Sequence, residues 1–166
     1  MKNKMIKNNG IKTNFNGEML IGRDFSSSVL DDYTFENSSL EESDFSNSSL
    51  KNADLSRARL NGANLANTDL TGANLEGARL VKVNAEKIKG QRVFSVKQSF
   101  TDLISDLTYW ADLGIWTCEY FQGTLNELEK VLLKKFRSNE ETHNRFKRAI
   151  QFILNEANEE GTKNGD

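Results

Sequence analysis

Proline is absent from the 166 residues, where average usage near ~5% would place about eight. That points to an architecture that tolerates proline poorly. Cysteine occurs once, at Cys118, so no disulfide can close within the chain and one copy cannot complete a cysteine-based metal site. Histidine also occurs once, at His143. No window approaches the ~18 consecutive apolar residues of a membrane-spanning helix, and the lysines near the N-terminus have no apolar segment behind them. The expectation is a cytoplasmic protein. Hydrophobic residues make up only 37%, with a mean hydropathy of -0.62. The 22 basic and 24 acidic residues leave a net charge of -2, which marks neither a disordered chain nor one built for a single strongly charged partner.

What the chain has is a period of five. Every fifth residue from Phe15 to Leu80 is a large apolar one: phenylalanine and leucine alternate to Leu50, and leucine follows alone. Two places earlier sits a small residue through the body of the run, as at Ser38, Ser43, Ser48, Ala53, Ala58 and Ala63. The other three positions are polar. Five fits neither the 3.6 of a helix nor the 2.0 of a strand, so the chain must turn a corner in every repeat to keep these residues on one side. Four sides of a square coil consume twenty residues, and successive coils would stack at the ~4.8 Å of paired strands. Phe15 and Phe35 then share one side, and Phe25 and Phe45 the opposite one. Amides of one coil bond carbonyls of the next, which rationalises the missing proline. The Asp or Asn before the central residue reads as a corner hydrogen-bonder.

The triplets Ala53-Asp54-Leu55, Ala63-Asn64-Leu65 and Ala73-Asn74-Leu75 stand in one unbroken register. This pattern strongly resembles the pentapeptide-repeat family, which implies a right-handed quadrilateral β-helix over residues 13–89, about four coils and ~19 Å long. Glu18, Arg23 and Tyr33 depart from the small inward residue, and the central position decays to Ala85 and Gly90.

Beyond Gln91 the register is lost and a small α+β module is expected over 90–158. Residues 92–97 read as a strand. Residues 107–111 and 115–121 read as a β-hairpin around Asp112-Leu113-Gly114, carrying Trp110, Trp116 and Tyr120. Thr124 to Glu127 forms a capping box for a helix to about 136, and Ser138 to Glu141 a second box for a helix over 139–157. Residues 1–12 form a basic N-terminal segment, and 159–166 read as a disordered tail.

Chemistry has little to stand on. His143, beside Glu140 and Glu141, reads as a solvated surface residue, and Cys118 as a packed, inert thiol without a base to activate it. There is no GxGxxG, P-loop or spaced metal-ligand cluster, so no enzyme, cofactor or metal is expected. Charge is unevenly distributed. Residues 13–50 carry eight acids against Arg23 alone, whereas 51–89 carry seven bases and four acids.

Two functions follow. In the first, a rigid non-catalytic rod binds and modulates a bacterial protein. It grips that partner through the acidic residues Asp31, Asp32, Glu36, Glu41, Glu42 and Asp44, or through the aromatic hairpin residues Trp110, Trp116 and Tyr120. The order of elements in the tail resembles appendages of some bacteriophage-encoded repeat proteins, which would make it an anti-defence or host-takeover factor. In the second, similarity to quinolone-resistance members of the family implies a DNA mimic acting on DNA gyrase or another DNA-binding enzyme, and a homodimer joined through the C-terminal module. Duplex DNA presents one charge per ~1.7 Å, so a ~19 Å mimic should offer about eleven negative charges, against the eight present. Direct nucleic-acid binding is not expected, because the basic residues from Lys51 to Lys89 fall on separate faces.

Overall fold

The computed structural model describes residues 13–101, 104–119, 121–137 and 139–163. The N-terminal basic segment, Tyr120, Ser138 and the last three residues lie outside the described residues. The chain divides after Gln91 into two compact units.

In the first unit, residues twenty apart are joined by parallel bridges, Asn14 with Thr34, Met19 with Ser39, and so on to Asp69 with Lys89. Nearly every five-residue side closes with a turn in which the carbonyl of the central residue accepts from the N–H three places on, as in Glu18 to Phe15 at 3.1 Å. The residue between is left-handed: every fifth residue from 17 to 87 has φ between +54° and +73°. Asn supplies four of these positions and Gly five, the residue types that tolerate this region best, but Glu42, Arg57, Lys82 and Lys87 also occupy it. Gly90, at a central position and so outside this series, is left-handed as well, with φ 79°. A Cβ there would collide with the backbone of Thr71.

The amides account for the missing proline. Between two stacked repeats, Phe15 N–H donates to Thr34 at 2.7 Å, Gly17 to Glu36 at 2.9 Å, and Thr34 back to Thr13 at 3.0 Å. The remaining N–H, just after the central residue, is met by a side chain. Asp44 accepts from Ser46 at 2.9 Å, Asp54 from Ser56 at 3.0 Å and Asn64 from Ala66 at 3.2 Å. Where the bridge position is not Asp or Asn, a side chain one coil earlier serves instead: Asn16 accepts from Glu36 N–H at 3.1 Å and Asn61 from Val81 N–H at 3.2 Å. With every position of the repeat donating, proline has no place in it.

The core is aromatic at first and aliphatic afterwards. Phe15 stacks on Phe35 at 5.3 Å and Phe25 on Phe45 at 4.7 Å, both 10° from parallel, while Phe25 meets Phe35 edge-on at 77°. Tyr33, which replaces a small inward residue, is buried and lies 6.0 Å from Phe15. Leu40 to Leu70 follow without exposure. The small inward residues are also buried, and their hydroxyls are satisfied locally: Ser38 donates to the Phe35 carbonyl at 2.6 Å and Thr68 to that of Phe45 at 2.8 Å.

The second unit is a four-stranded antiparallel sheet, in the order β1-β2-β3-β4, with two helices. Its elements are β1 (Val93–Thr101), β2 (Ile104–Trp110), β3 (Ile115–Cys118), β4 (Phe121–Gly123), α1 (Leu125–Lys135) and α2 (Glu140–Lys163). Three expectations need correction. Residues 115–121 are not one strand: the backbone turns at Glu119, φ 39°, and Phe121 pairs back onto Cys118. The cap of α2 is Asn139, whose Oδ1 accepts from Thr142 N–H at 2.9 Å, one place later than the expected box. And α2 does not stop at 157. It runs on through Glu159 to Lys163, because its acidic residues favour helix even where the apolar stripe has ended, and no proline stops them.

The capping box of α1 forms as its sequence implies. Thr124 accepts from Glu127 N–H at 3.4 Å, and Glu127 Oε2 accepts from Thr124 N–H and hydroxyl, each at 2.8 Å. Those bonds, the backbone one foremost, hold the Glu127 carboxyl below its ordinary pKa of 4.5. A carboxyl depressed in the folded state stabilises above its unfolded pKa, and that contribution is lost as pH falls through the folded value. Melts of the second unit followed by helical circular dichroism should therefore weaken as pH drops below ~4, and Glu127→Gln should remove that part of the dependence.

Candidate functional site

The faces of the coil decide what the acidic residues can do. Neighbouring repeats lie on neighbouring sides and only residues twenty apart share one. Asp31 and Asp32 therefore occupy one side, Glu36 the next, Glu41 and Glu42 the third, and Asp44 the fourth. The six do not converge into a patch. Most of them also have structural work. Asp31 accepts from the Ser49 hydroxyl at 2.5 Å and from Lys51 N–H at 3.0 Å. Asp44 accepts from Ser46 N–H and, at 3.1 Å, from the Asn64 amide. Glu36 pairs with Arg57 at 3.6 Å, and Glu41 with Arg59 Nε at 2.6 Å, its second carboxylate oxygen buried without a partner. Asp32 accepts from Asn52 at 3.3 Å. Only Asp32 and Glu42 are exposed. The basic half is engaged similarly: Lys51 meets Asp69 at 3.4 Å, where bonds from Thr71 above all, with Lys51 adding to them, hold the carboxyl below its usual range.

Of the three hairpin aromatics, the two tryptophans are interior, and Tyr120 lies outside the described residues. Trp110 and Trp116 are each 1% exposed, and Trp116 stacks on Tyr109 at 4.6 Å within a core of Leu107, Leu128, Leu132, Phe146 and Ile153. Large aromatic area goes to the interior of a unit this small because it has little else to bury.

Cys118 is buried, and burial pushes its thiol up to about 11. It should resist alkylation in the folded protein at neutral pH and react at the rate of a free thiol once the chain is unfolded in denaturant; mass spectrometry after iodoacetamide treatment checks this. His143 departs from the expected solvated position. It is half-buried with Nδ1 closed off and unpartnered, beside a cavity of about 180 Å³ lined also by Leu132, Phe146 and Lys147. Among the described residues, no cluster of His, Cys, Asp and Glu could hold a metal, and no helix is long and apolar enough to cross a membrane.

Sequence reasoning missed the exposed apolar residues of the first repeats. Met19 is 75% and Ile21 49% exposed, both on the side that carries Glu41 and Glu42 one coil later, while Val29, 45% exposed, lies on the side of Asp31 and Asp32. Their signal was present: each is apolar at an outward position of the repeat, where nearly all others are polar.

Parallel bridges at a fixed separation of twenty, an inward residue every five and a left-handed corner in every repeat define a quadrilateral β-solenoid. Residues 20–57, 29–65 and 48–84 match the pentapeptide-repeat family, with eight copies in all. Residues 20–84 are pentapeptide repeats, and repeats of that kind form a right-handed quadrilateral β-helix. Among solved structures it is similar to a pentapeptide repeat protein from the Arabidopsis thaliana thylakoid lumen, with 34% identity and a TM-score of 0.44 over 46% of this chain and 55% of that one. It is also similar to Rfr23 from the cyanobacterium Cyanothece 51142, with 32% identity and a TM-score of 0.38 over 46% and 58% of the two chains. QnrB1, a plasmid-mediated fluoroquinolone resistance protein, is 16% identical with a TM-score of 0.19 over 46% and 54%. The matched part thus spans little more than half of these structures. No curated protein matches the chain.

Proposed function

We propose that this protein is a non-catalytic interaction module whose solenoid docks a protein partner through the side bearing Met19, Ile21, Glu41 and Glu42. The observation that carries the reading is the exposure of Met19, 75%, and Ile21, 49%, on a rod whose other outward residues are nearly all polar. Exposed apolar area rimmed by charge is a usual mark of a protein-binding surface. Next to it, exposed Glu42 offers a carboxylate that steers an approaching partner and fixes its orientation. A cytoplasmic bacterial partner and homodimerisation through the second unit belong to the same proposal. The host-takeover role has no support beyond the order of elements in the tail.

The alternative, a DNA mimic acting on gyrase, draws on family resemblance, and the charges support it less. A mimic needs carboxylates spaced along one surface and available to the partner, whereas these are spread over four sides and several are bonded within the rod.

A pull-down from bacterial lysate tests both. The natural chain is compared with a Met19→Ser, Ile21→Ser, Glu42→Lys variant, and captured proteins are identified by mass spectrometry. The proposal expects capture that the variant loses while its circular dichroism is unchanged. Equal capture by both chains rejects it; capture of a DNA-handling enzyme that fades with salt in both would favour mimicry instead.

A further inference from the structure

The lateral face of α2 carries a self-complementary charge pattern. Arg145, Arg148, Phe152, Glu156 and Glu159 follow one another at steps of three and four, so the helical period places them on one stripe. This stripe is not the one that faces the core, which is made of Phe146, Ala149, Ile150, Ile153 and Ala157. Arg145, Arg148 and Phe152 line, with Val96 and Ala149, a surface concavity of about 310 Å³ beside β1. Phe152 is 56% exposed, and Arg148, Glu156 and Glu159 are exposed as well. In the sheet order β1 is the edge strand opposite β4, and α1 packs over β3 and β4, so the stripe beside β1 lies on the flank away from α1.

The signs are antisymmetric about Phe152. Four residues before it stands Arg148 and four after it Glu156; seven before stands Arg145 and seven after Glu159. A two-fold axis through Phe152 that lays α2 antiparallel on a second copy brings each residue opposite the one equally far on the other side. Arg148 then meets Glu156 of the second copy, Arg145 meets Glu159, and the two Phe152 rings meet at the axis. A parallel pairing would oppose like charges. The stripe is neutral in sum, so it has no electrostatic preference for a uniformly acidic or basic surface, and its complement is its own copy reversed.

We propose that two copies of this chain associate through this stripe, as an isologous antiparallel pair of α2 helices. This rests on the homodimer of the proposed function and locates it on α2. One helix pair is a small interface, below the ~1,200 Å² of standard complexes, so the dimer is weak and salt-sensitive.

Sedimentation equilibrium of the full chain up to ~100 μM reads it directly. The natural chain should approach twice its monomer mass, and salt near ~1 M should return it to monomer. Arg145→Glu with Arg148→Glu makes the stripe wholly acidic, and Glu156→Arg with Glu159→Arg makes it wholly basic. Each variant alone should stay monomeric with an unchanged melt, while an equimolar mixture should form a heterodimer tighter than the natural dimer. A natural chain that stays monomeric, a variant that self-associates as well as the natural chain, or a mixture that fails to pair would each overturn the proposal. Should a charge variant fold poorly, Phe152→Glu is the second reading: the dimer should be lost with the melt intact, and a dimer that survives it refutes the stripe. None of these substitutions touches Met19, Ile21 or Glu42, so the partner pull-down fails or succeeds separately.

Discussion

Leu65→Lys should abolish the folded solenoid. Leu65 has no exposed surface and sits in mid-stack, one coil after Phe45, its N–H bonded to Asn84 at 2.8 Å. A lysine there carries an ammonium into a column of apolar side chains with no carboxylate inside it. Burying an unpaired charge costs several kcal/mol even after relaxation, and domains of this size are stable by only ~5–15 kcal/mol. The damage is amplified by architecture: each coil of a solenoid is held only by its neighbours, so a break at this coil strands the coils on both sides. The expected result is loss of the β-type circular dichroism and of the cooperative melt of the first unit. Leu65→Met, which nearly conserves volume, should cost less than ~1.5 kcal/mol. A Leu65→Lys protein with the natural spectrum and melt would refute the inward register itself.

Trp116→Ala should unfold the second unit and leave the first standing. Trp116 is 1% exposed, stacks on Tyr109 and sits in the same cluster as Leu128 of α1 and Phe146 and Ile153 of α2. Truncating a buried aromatic to alanine costs ~3–5 kcal/mol, and the lost ring pair adds ~0.5–1.5 kcal/mol. A unit of this size has little margin to absorb that. Helical signal near 222 nm and the near-ultraviolet tryptophan bands should collapse, while the solenoid's own transition persists, because its apolar column is a separate core. A single unchanged transition in this variant would show that Trp116 is not structural. The same expectation governs any binding experiment: a partner lost in Trp116→Ala reports an unfolded unit, not a missing contact.

Local rules carried the reading furthest where one residue type answers one geometric demand. The spacing of fourteen apolar residues was enough to place them all inside, and Thr124 with Glu127 was enough to start α1. The Asp and Asn before the central residues do bond their own corners. Legibility failed where a residue's role depends on what another segment brings to it. Ile115 to Phe121 alternates like a strand, yet the backbone reverses at Glu119 because Phe121 pairs with Cys118. Glu159 lies beyond the apolar stripe that ends at Ala157, yet α2 continues through it.

The candidate site shows the same division. Its acidic residues were identified correctly as a surplus of charge in residues 13–50, but a surplus along the chain is not a patch in space. A twenty-residue turn deals consecutive acids onto four different sides, and the coil that follows supplies Lys51, Arg57 and Arg59 to engage them. By itself the sequence determined the solenoid, since a period of five admits one way to bury its large residues. Only the tertiary structure decided which charges and aromatics remain available, because that depends on neighbours twenty residues away and on a core built from four strands and two helices.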